Sequence, residues 1–523
     1  MPIPTRWTRI RRIAAWGAFS LFALIGSGLL LADRFTPAAN GEAGVTPPIE
    51  ADATALDREL APLLAQHPGQ TGVLMLPNGL DAFAARAVSA RRAGRSLDLM
   101  YYIWHDDLTG RLLAREAWDA AERGVRVRIL IDDINAESLD QKLLLLDWHR
   151  NIELRLYNPF RNREGAGRIV EMTQRIFSLN HRMHNKAWIA DGRVAVVGGR
   201  NIGVEYFDAS EEVNFRDLDL VLFGPAVAEA SAVFDRYWNS TSVVPLAALA
   251  QATSADRKAT MAWVAGAIPE AEAKRYLARV EGSHNVRDYG QQQLSPIWTR
   301  GLHVIADPPD KARKDPGEDW LIKRIIRDLD GAQRKALVIS PYFVPGDDGA
   351  TALSALARRG VRVGVVTNSL AANDVPAVYG AYRRYREPLL AAGVRLYELR
   401  AQGHVHSANF GASDASLHTK AYVVDDRRGF IGSFNLDPRS AWLNTEMGVV
   451  FDDLALASEL RTEYLRLAGP ELSYWMHRRE NGDVLWLDRM AQPPALLSTE
   501  PDTDAMQRIG ARVMAMLPVE SQL

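Results

Sequence analysis

The chain contains no cysteine among its 523 residues. That excludes disulfides, thiolate metal centres and acylation on a lipoprotein cysteine. It does not choose between a reducing and an oxidising compartment. A surplus of one charge is also missing: 62 Lys and Arg against 64 Asp and Glu leave a formal net charge of -2. With no long basic run, the composition argues against a protein built on the electrostatics of nucleic-acid binding. Long apolar runs are absent after the N-terminus. There, Arg6, Arg9, Arg11 and Arg12 precede an uncharged, mostly apolar stretch from Ile13 to Ala32. About 20 such residues span a bilayer, and the basic flank stays on the cytoplasmic side. The alternative is a cleaved signal peptide, with small residues near Pro37, Ala38 and Ala39 serving a peptidase. The stretch is longer than a usual signal h-region, which favours an uncleaved anchor. A convincing metal-ligand set is lacking too. His404 and His406 form an H-x-H in a polar loop with no visible partner set, and Asp132-Asp133 follows a strand where helix N-caps are common. Neither metal nor cofactor is expected.

What the chain does have is a chemical motif written twice. His184-Asn185-Lys186 is followed by Asp191, and His418-Thr419-Lys420 by Asp425 at the same spacing. Gly198 and Asn201 recur as Gly432 and Asn435 at the same offset. One chance H-x-K-x4-D in a chain this long has odds on the order of 1 in 30, and two on the order of 1 in 1,000. The runs Lys186–Asp191 and Lys420–Asp425 are rich in apolar, aromatic and β-branched residues and read as strands. His and Lys two apart then project from one face. Val194–Val197 and Gly429–Ile431 read as return strands, each ending at a Gly where backbone can approach a ligand closely. Asn201 and Asn435 follow as hydrogen-bond donors. Paired His and Lys suit a site built from two halves around a phosphate.

The halves repeat at domain scale. Ser96–Tyr102 reads as strand, 112–122 as helix, and Arg123-Gly124-Val125-Arg126-Val127 opens the next strand. In the second half the counterparts are Ala336–Ser340, 350–358 and Arg359-Gly360-Val361-Arg362-Val363, an identical pentapeptide. Leu154–Tyr157 and Val394–Tyr397 form a third matched pair. Strands alternating with helices of about ten residues predict βαβ units and a largely parallel sheet. Gly124 and Gly360 fit helix C-caps.

The paired motifs resemble the phospholipase D superfamily. Tyr101-Tyr102-Ile103-Trp104, Arg182–Lys186, Val197–Gly203, Thr367–Asp374 and Ile431–Ser440 resemble bacterial cardiolipin synthases of the C type, and the likeness covers roughly residues 60 to 520. It implies an α/β fold: two tandem phospholipase D-like α/β/α domains in a pseudo-twofold bilobal unit, behind an N-terminal transmembrane helix. The expected division is a basic flank over 1–12, the anchor over 13–32, a tether over 33–60, a first domain over 61–245, a connecting region over 246–310, a second domain over 311–470 and a tail over 471–523. The resemblance implies transfer of a phosphatidyl group between membrane phospholipids, with phosphatidylglycerol as acceptor, on the periplasmic side of a bacterial inner membrane. Hydrolysis or headgroup exchange with a small alcohol is the alternative within enzymes, and a membrane-anchored phosphodiesterase on nucleic acid a second one. A protein partner is left open.

Residue types give the chemistry. One imidazole attacks phosphorus and a second moves protons to and from the alcohols. Two lysines and nearby Asn side chains hold phosphoryl oxygens. Each His needs a partner to fix its tautomer. The resemblance implies that Glu446 and Asp217, just downstream of each motif, fill that role; Asp217 could equally pair with Arg216. It also implies that Asp191 and Asp425 support the fold, and that His184 is the nucleophile. The setting points the same way: Arg182 and Arg200 flank the first motif and favour a neutral His184, while Glu446 near the second favours a protonated His418. Ser433, beside Gly432, joins the supporting set. Arg439 is a candidate for a lipid phosphate or for a loop anchor. Tyr102, Trp104, Tyr342 and Phe343 are candidates for an acyl-chain channel or for plain core. In the tail, Ile509, Val513, Met516 and Leu517 at helical spacing, beside Arg508 and Arg512, predict an amphipathic helix, packed on a domain more often than laid on a membrane.

Overall fold

The computed structural model describes residues 41–135, 140–160, 171, 180–249, 270–290, 293–314, 316–401, 414–516 and 520–522, with a few positions between 16 and 27. Apart from those few positions, the span expected at 13–32 lies outside the described residues, as do His404 and His406. Among the described residues no helix is long and apolar enough to cross a membrane.

Two large sheets carry the molecule. The first runs Ile297–Thr299, Thr71–Leu76, Asp219–Phe223, Val194–Gly198, Ala187–Ala190, Ser96–Tyr101, Arg126–Asp132, Ile152–Tyr157, Val243–Pro245. The second runs Leu302–Ala306, Met447–Asp452, Arg428–Gly432, Lys420–Val424, Lys335–Ile339, Arg362–Asn368, Arg395–Leu399, Ser473–Arg478, Val484–Asp488, Ala495–Leu497. The expectation of largely parallel sheets needs correcting. Parallel pairing is confined to three adjacent strands in each, those joined through the helices Leu108–Glu122, Asp140–Asp147, Gly346–Arg358 and Pro376–Ala391. The motif strands return through tight turns, and a hairpin can only pair antiparallel.

The repeated pentapeptide does what its Gly predicts. Gly124 and Gly360 sit at φ 93° and φ 90°. Gly124 N donates to Ala121 O and Val125 N to Ala120 O, and the second half repeats both bonds with Gly360 to Ala357 and Val361 to Leu356. This is the Schellman closure, which turns each helix straight into its strand.

Three apolar clusters follow. One lies on the outer face of the first sheet under the helices Gly79–Arg92 and Leu108–Glu122. Another does the same for the second sheet under Leu321–Asp330, Gly346–Arg358 and Pro376–Ala391. The third is shared: Ile189, Val197 and Leu222 from the first sheet meet Val423, Ile431 and Val449 from the second, flanked by the helices Pro225–Trp238 and Leu454–Leu467. The two halves therefore have one core between them. Val213–Arg216 and Asp414–Leu417, one from each half, pair in parallel as a small separate sheet. The connecting region is partly absorbed by both halves, since Ile297–Thr299 edges the first sheet and Leu302–Ala306 the second. The stretch read as a tether is fastened at 42–46, where Arg155 donates to Glu42 O, and Thr46 N to Asp235 Oδ2 at 2.8 Å.

Candidate active site

The motif strands are shorter than the sequence suggests, Ala187–Ala190 and Lys420–Val424, so both histidines lie in the extended chain just before a strand on the shared side of the molecule, and each is gripped by the opposite half. His184 N donates to Thr445 O, and Thr445 N returns a bond to Arg182 O. His418 N and Thr419 N both donate to Arg216 O. The next residue after each gripping residue is a buried carboxylate. His184 Nδ1 lies 2.8 Å from Glu446 Oε2, and His418 Nδ1 lies 2.5 Å from Asp217 Oδ2. The pairing is crosswise. Glu446 follows the second motif in sequence yet serves the first histidine, which overturns the reading that it would keep His418 protonated. Asp217 holds His418 and not Arg216.

Burial sets the charge states. His184 is brought down to about 4 and His418 to about 3, chiefly by desolvation, with the neighbouring lysines adding to it. Against burial, which pushes them up, the facing imidazoles and lysines hold Glu446 and Asp217 below the usual carboxylate range. The consistent state is a neutral imidazole donating Nδ1–H to a carboxylate. Nε2 is then the basic nitrogen. Lys186 and Lys420 are each 1% exposed, and each ammonium donates to the carbonyl of the His two residues before it at 2.5 Å. Desolvation first, and for Lys186 the second lysine as well, brings them to about 7 and about 8. Lys420 acts electrostatically on His184 and Lys186 on His418, so both motifs belong to one site.

Supporting residues divide into those that hold this arrangement and those that serve elsewhere. Ser433 Oγ donates to Glu446 Oε2 at 2.5 Å, and Ser440 Oγ to Oε1 at 2.8 Å. Asn201 does not donate toward the imidazoles. Its amide nitrogen goes to Tyr206 OH at 3.0 Å, and Tyr206 rests edge-on against His418 with ring centroids 5.2 Å apart. Asn435 keeps a buried carbonyl oxygen with no partner among the described residues. Gly198 and Gly432 make room for protein and not for a ligand. A Cβ on Gly198 would stand 2.1 Å from Asp219 Oδ1, and one on Gly432 2.4 Å from Met447 O. Asp191 and Asp425 lie at the far end of the motif strands. Asp191 accepts from the amides of Gly94, Arg95 and Ser96, and Asp425 from those of Gln333, Arg334 and Lys335. The flanking arginines are spoken for as well. Arg182 pairs with Asp132, and Arg200 donates to the carbonyls of Leu76, Pro77, Tyr206 and Asp217.

Two residues have positioning roles that the sequence does not assign to them, Asp132 standing there only as a metal or N-cap candidate and Asn368 only within the segment Thr367–Asp374. Asp132 accepts from Met183 N at 2.8 Å, and Asn368 both donates to Leu417 O and accepts from Leu417 N. Each ends the middle one of the three parallel strands of its sheet and fixes the residue just before a motif histidine. Their shared place in the domain repeat was the available signal. Asp132 and Asp133 thus anchor loops, Asp133 by accepting from Phe160 N. Arg439 is a loop anchor too, bound to Asn180 O and Oδ1. Of the aromatic candidates, Trp104 and Phe343 are core. Tyr102 packs edge-on to His184 at 5.1 Å, with Lys186 Nζ 5.4 Å from its ring centre. Tyr342 OH is bound to Asp374. Among the described residues His105, Asp107 and Glu205 come close enough to share a cation. His105 already pairs with Glu205 at 3.1 Å, and Asp107 accepts from Gly110 N and Val204 N.

Comparison with known proteins agrees with this geometry. The family described as cardiolipin synthase, PLD-like domain, matches residues 89–238 and 325–468, one segment in each half. The chain is 40% identical to cardiolipin synthase C of Escherichia coli (strain K12) over 468 residues, covering 88% of this chain and 98% of that protein. It is 29% identical to the cardiolipin synthase of Geobacillus kaustophilus (strain HTA426), over 74% of this chain and 64% of that one. In fold it is similar to the phosphatidylserine synthase of Haemophilus influenzae Rd KW20, with a TM-score of 0.56 at 14% identity, covering 89% of this chain and 99% of that one. The chain belongs to the cardiolipin synthase family of phospholipase D-like proteins.

Proposed function

We propose that the protein transfers a phosphatidyl group from a phospholipid to the hydroxyl of phosphatidylglycerol, forming cardiolipin. The observation that carries the reading is the crosswise pair of imidazole–carboxylate dyads, each beside a buried lysine, in a chain of this family. His184 Nε2 attacks the phosphorus while the bond to the headgroup oxygen breaks. His418 gives that oxygen a proton. The acceptor hydroxyl then passes its proton to His418, its oxygen attacks phosphorus, and the P–N bond breaks to free His184. Burial and the lysines depress the proton affinity of His418 in the free site, and the bound anionic diester raises it again, so that His418 enters the step protonated while His184 enters it neutral. Lys186 and Lys420 hold the phosphoryl oxygens through the transition state. The choice of His184 as nucleophile rests on the superfamily resemblance, because the two dyads are alike in geometry.

The N-terminal stretch 13–32 is read as a single-pass anchor, with the two catalytic halves on the periplasmic side of an inner membrane. The two catalytic halves are assigned to residues 61–245 and 311–470. Purified protein given labelled phosphatidylglycerol in vesicles should form labelled cardiolipin. Accumulation of phosphatidic acid alone would replace transfer with hydrolysis, and cleavage of nucleic acid with the lipid untouched would replace both. A denaturing quench at mildly alkaline pH, where the P–N bond survives, should leave phosphorus label from a slow substrate on the peptide holding His184. Label on the His418 peptide would reverse the two roles and leave the reaction standing. An enzymatic reporter at the C-terminus should be active only outside the cytoplasm.

A further inference from the structure

The C-terminal helix Ala505–Met514 opens on a capping box between Asp504 and Gln507. It lies across the helix Pro376–Ala391 at Gly380, where a side chain would meet Ala515 N at 2.9 Å and Ala511 O at 3.0 Å. The packed face is therefore small: Ala511 is the buried residue of the helix. The apolar stripe expected to pack on a domain does the opposite. Met506, Ile509, Val513 and Met516 are 74%, 51%, 53% and 82% exposed. At 3.6 residues per turn Met506, Ile509 and Val513 share one stripe, about 180° around the helix from Ala511, and Met516 extends it in the turn that follows. Arg508 and Arg512 run along one edge of that stripe, Arg508 bonded to Thr503 O and Arg512 exposed.

We propose that this stripe docks the protein on an anionic phospholipid bilayer. The inference rests on the reading above that the substrates are bilayer lipids. Four side chains on a short helix fall well short of the roughly 800 Å² per side that a stable protein interface takes. An apolar face edged by Arg is the pattern an interfacial helix presents to lipid, the apolar residues entering the headgroup boundary and the guanidinium groups meeting phosphates. The helix is also tied to the site. Soon after it ends, Gln522 O accepts from Arg439, which itself holds Asn180 just upstream of His184. Docking this helix thus brings lipid to the flank of the segment that carries the first histidine.

The absence of cysteine makes the test direct. Full-length Ile509→Cys and Val513→Cys, each labelled with an environment-sensitive dye, are reconstituted in vesicles of phosphatidylglycerol and phosphatidylcholine with brominated chains. Asn481→Cys, on an exposed turn, is the control, and it separates docking from mere anchoring by the N-terminus. Dye at 509 and 513 should shift to the blue and be quenched, and dye at 481 should not. Unquenched dye at 509 and 513 overturns the proposal. So does concentration-dependent shielding in lipid-free micelles, which would mean that a second copy covers the stripe. Ile509→Glu with Val513→Glu should lower cardiolipin formation on vesicles by about tenfold, given the apolar burial lost. The same variant should melt like the parent and keep its rate on short-chain phospholipid in micelles. An equal fall in both would count against docking. If the parent acts on no phospholipid, neither assay gives product, and the quenching still reports on docking by itself.

Discussion

Each imidazole is tuned by one carboxylate from the other half, and this fixes what conservative changes should do. Glu446→Gln and Asp217→Asn keep shape but present an amide where Nδ1–H needs an acceptor. The imidazole then turns to the wrong tautomer, and turnover should fall by about 10² to 10⁴ in both variants. Near-parental kcat in either would remove its carboxylate from the machinery. The lysines give a pH signature. Burial lowers their proton affinity, so they are charged below about 7 and about 8 and lose charge as pH rises through those values. The free enzyme should lose its grip on the anionic diester there. Thus kcat/KM should descend above pH 7 to 8, whereas kcat, which reports the loaded site, should hold to higher pH. A kcat/KM flat to pH 10 would show that the lysines keep normal proton affinity. The residue types of this site were legible in the sequence because the motif is written twice. The pairing was not, since Glu446 lies 262 positions from His184 and nothing local says which imidazole a buried carboxylate will meet.

At the scale of the element, each motif hairpin is fixed at both ends by different means. The near end is the gripped histidine. The far end is Asp191 or Asp425, at φ 54° in both copies, folding its carboxylate over three consecutive amides of the neighbouring strand's start. Asp191→Ala removes all three bonds and leaves a Cβ residue in the left-handed region, a cost of about 2 to 4 kcal/mol. Asp191→Asn tolerates that conformation and keeps an acceptor, so it should cost less. Thermal unfolding should rank parent above Asn above Ala, with kcat per folded molecule close to the parent in both. A large loss of kcat at unchanged stability would move Asp191 into the reaction. The strands of these hairpins and the closures at Gly124 and Gly360 were readable because their signals are local: β-branched runs, and a Gly after a helix. Sheet direction was misread because alternating strand and helix suggests parallel order, yet the strands that carry the chemistry return by turns. The tail stripe was misread in the same way. Periodicity shows that apolar residues share a face and is silent about whether anything covers it.

For the whole molecule, the crosswise grip makes the site and the interface between halves one structure. The shared core sets Ile189 and Val197 against Ile431 and Val449, the backbone bonds at Thr445 and Arg216 cross between halves, and so does the strand pair Val213–Arg216 with Asp414–Leu417. A separated half would expose the inner face of its sheet and leave either Asp217 or Glu446 buried beside no imidazole. Exposed apolar surface of that extent drives association, and an unpaired buried charge costs several kcal/mol. Coexpressed as two polypeptides broken after Arg300, the halves should therefore copurify and regain activity, since the chain crosses there from one sheet edge to the other in a tight turn. Expressed alone, each should aggregate or self-associate and form no cardiolipin. The decisive measurement is size-exclusion chromatography of each half beside the pair. A soluble, monomeric first half that melts cooperatively would mean that the halves are independent domains, and that the crosswise dyads form only after two finished folds meet.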